Sequence, residues 1–380
     1  MNAIFVSGIF MSFFIALLLV RKRNKALSDK ILAVWVALIG IHLLGYYLNQ
    51  LGYWEKYPHL IGTTAPFPLF HGPLLFLYTL YSLRSDTTLR KVDYLHFLPV
   101  TLAYIYMSGF FFFYSAEEKT MVDRGELPDF EVFTGILLIT FMVSGISYAI
   151  LAYRLTRRHQ QKIDENFSYQ EGINLNWLRQ CILAVGAFFL TAAIVVVARQ
   201  LVGINFNFNA DYVFYSMIIL FIFYIGYFGI RHQDMFTDNI SSIPKLPPQN
   251  PEAKYKKTGL TDEVVQDVHL KLLEHMKTHK PYLDPKLSLV DLAEQLALSA
   301  NQLSQVINQK EQVNFHDFVN KYRVEEFIER ATKNTSFSLL GNALDAGFNS
   351  KSSFNSVFKK HKGVTPSQYL AELKIESVGA

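Results

Sequence analysis

Cysteine is almost missing from this chain: Cys181 stands alone in 380 residues, so no internal disulfide can form and the cystine frameworks of small secreted domains are excluded. No Cys/His spacing suggests a metal site, and neither a nucleophile elbow nor a Gly-rich phosphate loop occurs. The chain is therefore expected not to be an enzyme and to need no metal or cofactor. Charge is scarce too. Charged side chains make up 18% of the residues against 51% hydrophobic and 15% aromatic, which is too apolar for an ordinary soluble domain of this length. The net charge of +4 points to no particular partner.

What the sequence has instead is a series of long apolar runs, at 2–20, 31–50, 65–83, 94–114, 132–154, 179–202 and 212–230. Each is near the ~20 residues that a rise of ~1.5 Å per residue needs to span ~30 Å of hydrocarbon. The expectation is a bundle of seven transmembrane helices over residues 1–230. The first run does not read as a cleaved signal peptide, because Arg21, Lys22, Arg23 and Lys25 follow it and no small-residue cleavage site closes it. Basic residues crowd alternate loops: Lys30 joins the first group, Arg84, Arg90 and Lys91 follow the third run, and Arg154, Arg157, Arg158 and Lys162 follow the fifth. By the positive-inside rule the N-terminus faces out and everything after residue 230 faces the cytoplasm.

The third run is the least regular. Pro66, Pro68 and Pro73 remove backbone donors, so part of its backbone needs partners from neighbouring helices or a polar cavity. His71 lies there, His42 lies in the second run, and Arg199 lies near the outer end of the sixth. Ionisable groups inside a membrane are costly, which makes these three the candidate signal-sensing residues. The plainer alternative is that the histidines hydrogen-bond between helices while Arg199 reaches the outer headgroups. The acidic outer loop around Glu117, Glu118, Asp123, Glu126, Asp129 and Glu131 has no EF-hand spacing and reads as a solvated loop.

Composition changes sharply after residue 230. Residues 231–260 carry Pro244, Pro247, Pro248 and Pro251 among polar side chains, the pattern of an extended cytoplasmic spacer. From 261 to 380 helical signals dominate. Ser288 with Asp291, and Ser299 with Gln302, form capping pairs ahead of two short helices in LSLVDLAEQLALSANQLSQVINQ. Leu303, Val306 and Ile307 face inward, which leaves Asn301, Ser304, Gln305 and Asn308 outward. The pattern repeats in LLGNALDAGFNSKSSFNSVFKKHKGVTPSQYL: Leu340, Ala343 and Leu344 are expected inside, Gly347 ends the first helix, and Phe354, Val357 and Phe358 anchor the second. Exposed amides and hydroxyls on the second helix of each pair suit base-edge readout, since Asn or Gln can pair bidentately with adenine. An amphipathic helix over 315–331 joins the two units. The fold class expected is therefore all-α: a seven-helix transmembrane bundle, then a cytoplasmic all-helical domain with two helix-turn-helix units.

The run ALDAGFNSKSSFNSVFKKHKGVTPSQY resembles the signature of the AraC/XylS family of bacterial transcription regulators, and LSLVDLAEQLALSANQLSQVIN resembles that family's first helix-turn-helix. NFHDFVNKYRVE is similar to the start of its linking helix, with Asn320 and Arg323 at matching positions. The segment FHGPLLFLY is similar to the seven-helix regions attached to some members. The resemblance implies a membrane-embedded regulator in a bacterial cytoplasmic membrane that binds double-stranded promoter DNA through two recognition helices. It implies base contacts from Asn301, Ser304 and Gln305 in the first reader and from Lys351, Ser352, Asn355 and Ser356 in the second. Lys359 and Lys360 would then hold phosphates. Gln305 and Ser356 stand where the family often presents arginine, so sequence preference is expected to rest on amides and DNA shape. Residues 262–380 hold fourteen Lys or Arg against fifteen Asp or Glu, so phosphate affinity should be modest and salt-sensitive. Further expected partners are membrane lipid, a second copy of the chain, and a small molecule or membrane signal of unstated kind. The competing reading is a membrane-anchored protein-interaction module without sequence-specific DNA binding.

Overall fold

Helices account for most of the described residues. The computed structural model describes residues 2–84, 86–169, 176–200, 203–204, 210–231, 261–333 and 337–378. Among the described residues there is no β-strand; a single isolated bridge joins Phe167 and Ser288. The chain divides into two units, Met1–Arg157 with Leu175–Ser241 and Arg158–Asn174 with Ser242–Ala380.

The first unit contains α1 (Asn2–Arg21), α2 (Leu27–Gln50), the single turn α3 (Tyr53–Lys56), α4 (Pro68–Ser82), α5 (Leu98–Phe113), α6 (Ala116–Asp123), most of α7 (Glu131–Asn166), α8 (Asn176–Gln200) and α9 (Ala210–Arg231). Among the described residues six helical stretches are long and apolar enough to cross a membrane: those of α1, α2, α5 with its preceding turn, α7, α8 and α9. The seventh expected span is the exception. Pro68 sets the helix start, so α4 has fifteen residues, or about 22 Å at ~1.5 Å per residue, shorter than a bilayer core. Eleven of those fifteen residues are buried, which makes α4 an interior helix of this unit. Trp35 of α2 donates its indole N–H to His71 Nδ1 of α4 at 3.2 Å, a buried interhelical bond.

Two loops differ from expectation. The basic residues after the fifth run were expected in a loop, yet Arg154, Arg157, Arg158 and Lys162 lie on α7, which continues to Asn166. Arg, Gln and Lys are good helix formers, and Gln160 donates to Asp164 one turn on at 2.9 Å. In the acidic outer segment, Ser115 and Glu118 form a capping box that turns part of it into α6. Lys119 on that helix is buried, its ammonium donating to the Phe111 carbonyl at 2.9 Å and lying 3.1 Å from His59 Nδ1.

The second unit holds the end of α7 with α10 (Asp262–His279), α11 (Leu289–Gln295), α12 (Ala300–Lys310), α13 (Phe315–Lys333), α14 (Leu339–Asp345), α15 (Lys351–Lys362) and α16 (Pro366–Val378). It has two principal apolar cores, and α13 enters both. Phe318 and Val319 pack with Leu272, Leu292, Leu303 and Ile307, whereas Val324 and Phe327 pack with Ala343, Phe354 and Phe358. On α14 the expected inward face is partly wrong: Ala343 is buried, but Leu340 and Leu344 are 37% and 45% exposed. Asn342 takes an interior place instead, because seven residues make only two turns and the helix is rotated to seat Ala343 against α13. The proline-bearing spacer over 232–260 lies outside the described residues.

Candidate nucleic-acid interface

Both helix pairs are built from the same local devices. Ser288 Oγ accepts from Asp291 N at 3.2 Å while the Asp291 carboxylate accepts from Ser288 N at 2.9 Å; Ser299 and Gln302 do the same at 3.3 Å and 3.0 Å. Each reciprocal pair satisfies two orphan donors at a helix start. In the second helix pair Ser338 and Ser350 cap α14 and α15 through Gly341 N and Ser353 N. The turns also match. Leu298 N donates to Ala293 O at 2.9 Å, and Phe348 N donates to Ala343 O at 3.1 Å, the six-residue closure that ends a helix on a left-handed residue. That residue is Ala297 at φ 55° in the first turn and Gly347 at φ 93° in the second.

With the turns fixed, α12 and α15 present the residues that the sequence singles out. Asn301 on α12 is exposed, whereas Ser304 and Gln305 are half-buried, and Ser304 Oγ accepts from Asn308 at 3.3 Å. Lys351, Ser352, Asn355, Ser356 and Lys359 are all exposed on α15. Lys360 is exposed but already engaged: its ammonium donates to both Asp317 oxygens, at 2.6 Å and 2.8 Å. A hydrogen bond from His316, and then those from Lys360, outweigh burial and hold the Asp317 carboxyl well below the usual carboxylate range. The Lys360 charge is therefore largely spent on α13, and Lys351, Lys359 and Lys362 carry the exposed positive charge of this helix.

A polar hub sets these two readers on one frame. Arg323 of α13 is 1% exposed, and its guanidinium donates to Tyr282 O at 2.8 Å, Asp284 O at 2.7 Å, Ser168 O at 2.9 Å and Ser168 Oγ at 2.9 Å. Asn320 also donates to Ser168 O, at 3.2 Å, and Ser168 Oγ donates to Leu287 O at 2.6 Å. The loop that Arg323 grips is tied in turn to the second reader, since Asn349 donates to Pro285 O at 2.8 Å and Gly347 packs on the Tyr282 carbonyl. One turn along α13, Glu326 accepts from Lys280 at 2.8 Å, Arg330 at 2.7 Å and Tyr282 at 3.1 Å. Burial pushes that carboxyl up, but these three bonds outweigh it and keep Glu326 below its ordinary range and hence ionised at neutral pH.

Sequence reasoning marked Asn320 and Arg323 by position without their partners. It gave no sign of Ser168, which lies 155 residues from Arg323 and belongs to the unit that carries the readers.

The three candidate sensing residues divide. His42 and His71 come together, ring centroids 5.8 Å apart and nearly parallel, and His42 Nε2 lies 3.3 Å from the Tyr215 hydroxyl. Arg199 falls on α8, and its side chain lies outside the described residues. Among the described residues no cluster of His, Cys, Asp and Glu could hold a metal ion.

Residues 292–372 match a family described as a helix-turn-helix domain, and the C-terminal region is a domain of that kind, of the AraC type. Over 86 residues the chain is 33% identical to the melibiose operon regulatory protein of Escherichia coli strain K12, a match covering 23% of this chain and 28% of that protein. The same figures hold for the melibiose operon regulatory protein of Escherichia coli O6:H1 strain CFT073. The chain thus spans just over a quarter of the length of the curated relatives it matches. No solved structure matches it.

Proposed function

We propose that this protein is a membrane-embedded, one-component transcription regulator: a sensing bundle over residues 1–230, a cytoplasmic spacer over 231–260 and a promoter-binding domain over 261–380. The observation that carries the reading is the presence, in one chain, of an AraC-type helix-turn-helix domain and six helices long and apolar enough to cross a membrane. Exposed apolar side chains along those helices, such as Phe10, Phe112, Val132 and Leu220, are what a lipid-facing surface needs and what water would penalise. We count α4 as a seventh, interior span, with the N-terminus outside and the readers in the cytoplasm, an orientation supported by the basic inner loops.

In this reading α12 and α15 enter successive major grooves on one face of the duplex. Asn301, Ser304, Gln305, Lys351, Ser352, Asn355 and Ser356 meet base edges while Lys359, and Lys360 once released from Asp317, meets phosphate. The signal reaches them through the end of α7: Ser168 follows that helix by two residues and is held by Arg323, so a shift of α7 is felt at the hub that carries both readers.

The test compares the full chain in lipid nanodiscs with its Gln305→Ala and Asn355→Ala variants, by retention of the genomic fragments that the parent enriches. Each variant is expected to bind about 5- to 150-fold more weakly, the ~1–3 kcal/mol of a bidentate base contact, with membrane insertion unchanged. Equal retention by the parent and both variants would contradict the assignment and favour a protein-docking role for the helical domain.

A further inference from the structure

Between α2, α4, α8 and α9 lies a cavity of about 360 Å³, within the ~300–1,000 Å³ span of small-molecule sites. Its lining is almost wholly apolar, with Ile39, Val185, Phe189 and Phe221 among the walls. Three lining side chains carry polar atoms, Trp35, His71 and Tyr224, and the Tyr224 hydroxyl already donates to Gln180 at 2.8 Å. The Trp35 indole N–H donates to His71 Nδ1, so that nitrogen carries the lone pair and the ring proton sits on Nε2. His71 is 7% exposed, and its Nε2 has no hydrogen-bond partner among the described residues. The site therefore offers one buried N–H donor, fixed in its tautomer, in an otherwise apolar chamber.

Depth narrows the ligand further. Trp35 lies eight residues into α2 and Ala184 eight residues into α8, each about 12 Å along its helix, near the middle of a bilayer core of ~30 Å. Headgroup charge and phosphate do not reach that depth, and a carboxylate would have to be stripped of water to do so. A plain hydrocarbon, including the tail of a bilayer lipid, fits the walls but leaves the His71 donor unpaired. Ala184 and Leu220 line the cavity and are themselves exposed, so it opens on the lipid-facing side.

We infer that this cavity is the ligand site of the bundle and takes an uncharged, membrane-soluble aliphatic molecule with one hydrogen-bond acceptor, of the ketone type, whose oxygen accepts from His71 Nε2. The inference rests on the reading that the bundle senses a signal, and it names the chemical class of that signal. A ligand seated there touches four helices at once, and it replaces an unpaired donor by a bonded one only if it carries the acceptor. Discrimination between ketone and alkane is the signature of the site.

The experiment uses the full chain in nanodiscs with Trp54→Phe and Trp177→Phe, so that Trp35 alone reports by its emission. Dibutyl ketone, nonane and nonanoate are titrated at equal membrane concentration. The expected result is saturable quenching by dibutyl ketone, weaker by about 2- to 10-fold in His71→Phe, the worth of one hydrogen bond. Ala184→Phe, which fills the chamber from an exposed wall position, should abolish saturation, and nonane and nonanoate should not compete. Equal behaviour of ketone and nonane, or saturation that survives Ala184→Phe, overturns the assignment and marks the chamber as a place for lipid tails. Because genomic fragments are selected on the same preparation, a failed ligand site with intact DNA selection is separable from failure of the regulator reading itself.

Discussion

Arg323→Leu is expected to destabilise the reader domain by about 3–5 kcal/mol, a large share of the ~5–15 kcal/mol that holds a domain folded. The substitution preserves much of the bulk of a fully buried side chain but removes the guanidinium donors to the Tyr282 and Asp284 carbonyls and to Ser168 Oγ, and leaves the Ser168 carbonyl with Asn320 alone. A buried acceptor left without its donor costs about 1–3 kcal/mol, and water can reach only the outer part of this cluster. Ser168→Ala should cost less, because Arg323 keeps its bonds to the three carbonyls and only the hydroxyl's exchange with Leu287 and the guanidinium is lost. Hydrogen exchange on the full chain reads both effects. Amides of α13 should lose protection strongly in Arg323→Leu and mildly in Ser168→Ala, while those of α2 and α4 stay as they are. Unchanged protection of α13 in Arg323→Leu would show that the hub is incidental to the frame.

Gly347→Ala should be nearly as damaging, by about 3 kcal/mol or more. Two independent penalties meet at this position. Its φ of 93° lies beyond the left-handed well that L-residues tolerate, and a Cβ there would overlap the Tyr282 carbonyl oxygen and come within 3.1 Å of Arg323 Nε. Neither neighbour can yield cheaply, since the first is backbone gripped by Arg323 and the second is the guanidinium that grips it. The first reader provides the internal contrast: Ala297 fills the equivalent turn at φ 55°, inside the left-handed well. Thermal unfolding of the reader domain within the full chain should show a lowered transition for Gly347→Ala, together with weakened DNA retention. A transition at the parent's temperature would mean that the turn opens without disturbing the Tyr282 loop.

Where the sequence was readable, the cause was local. Ser288 with Asp291 and Ser299 with Gln302 cap helices three residues away, so the pattern and the bonds coincide. Gly347 could be recognised as a helix end because only the residue itself decides which φ is open to it. Reading failed where the decisive partner is remote or the periodicity is short. Leu340 and Leu344 sit at an inward spacing on a two-turn helix, but α13 offers a socket only for Ala343, and the helix rotates to fit it. The third apolar run has the length of a span, yet its prolines delay the helix start to Pro68. The backbone carbonyls that accept from Arg323 lie 39 to 155 residues away in the chain, and no feature of Phe167 or Ser168 hints that they would be drawn into the hub. His42 and His71 lie 5.8 Å apart between ring centroids, and the cavity beside His71 is made by side chains of four helices, which periodicity alone does not bring together.

Two recognition helices fixed to one frame should read one stretch of duplex, which genomic selection on the full chain can show. Fragments retained at physiological salt by the nanodisc-embedded protein are sequenced, and the common motif is examined for spacing. The expected motif has two short elements about one helical turn, or ~34 Å, apart, with a fixed interval, because α13 and the Arg323 hub leave the readers no freedom to slide. Retention without any shared motif, or a motif whose two halves vary freely in spacing, would contradict it.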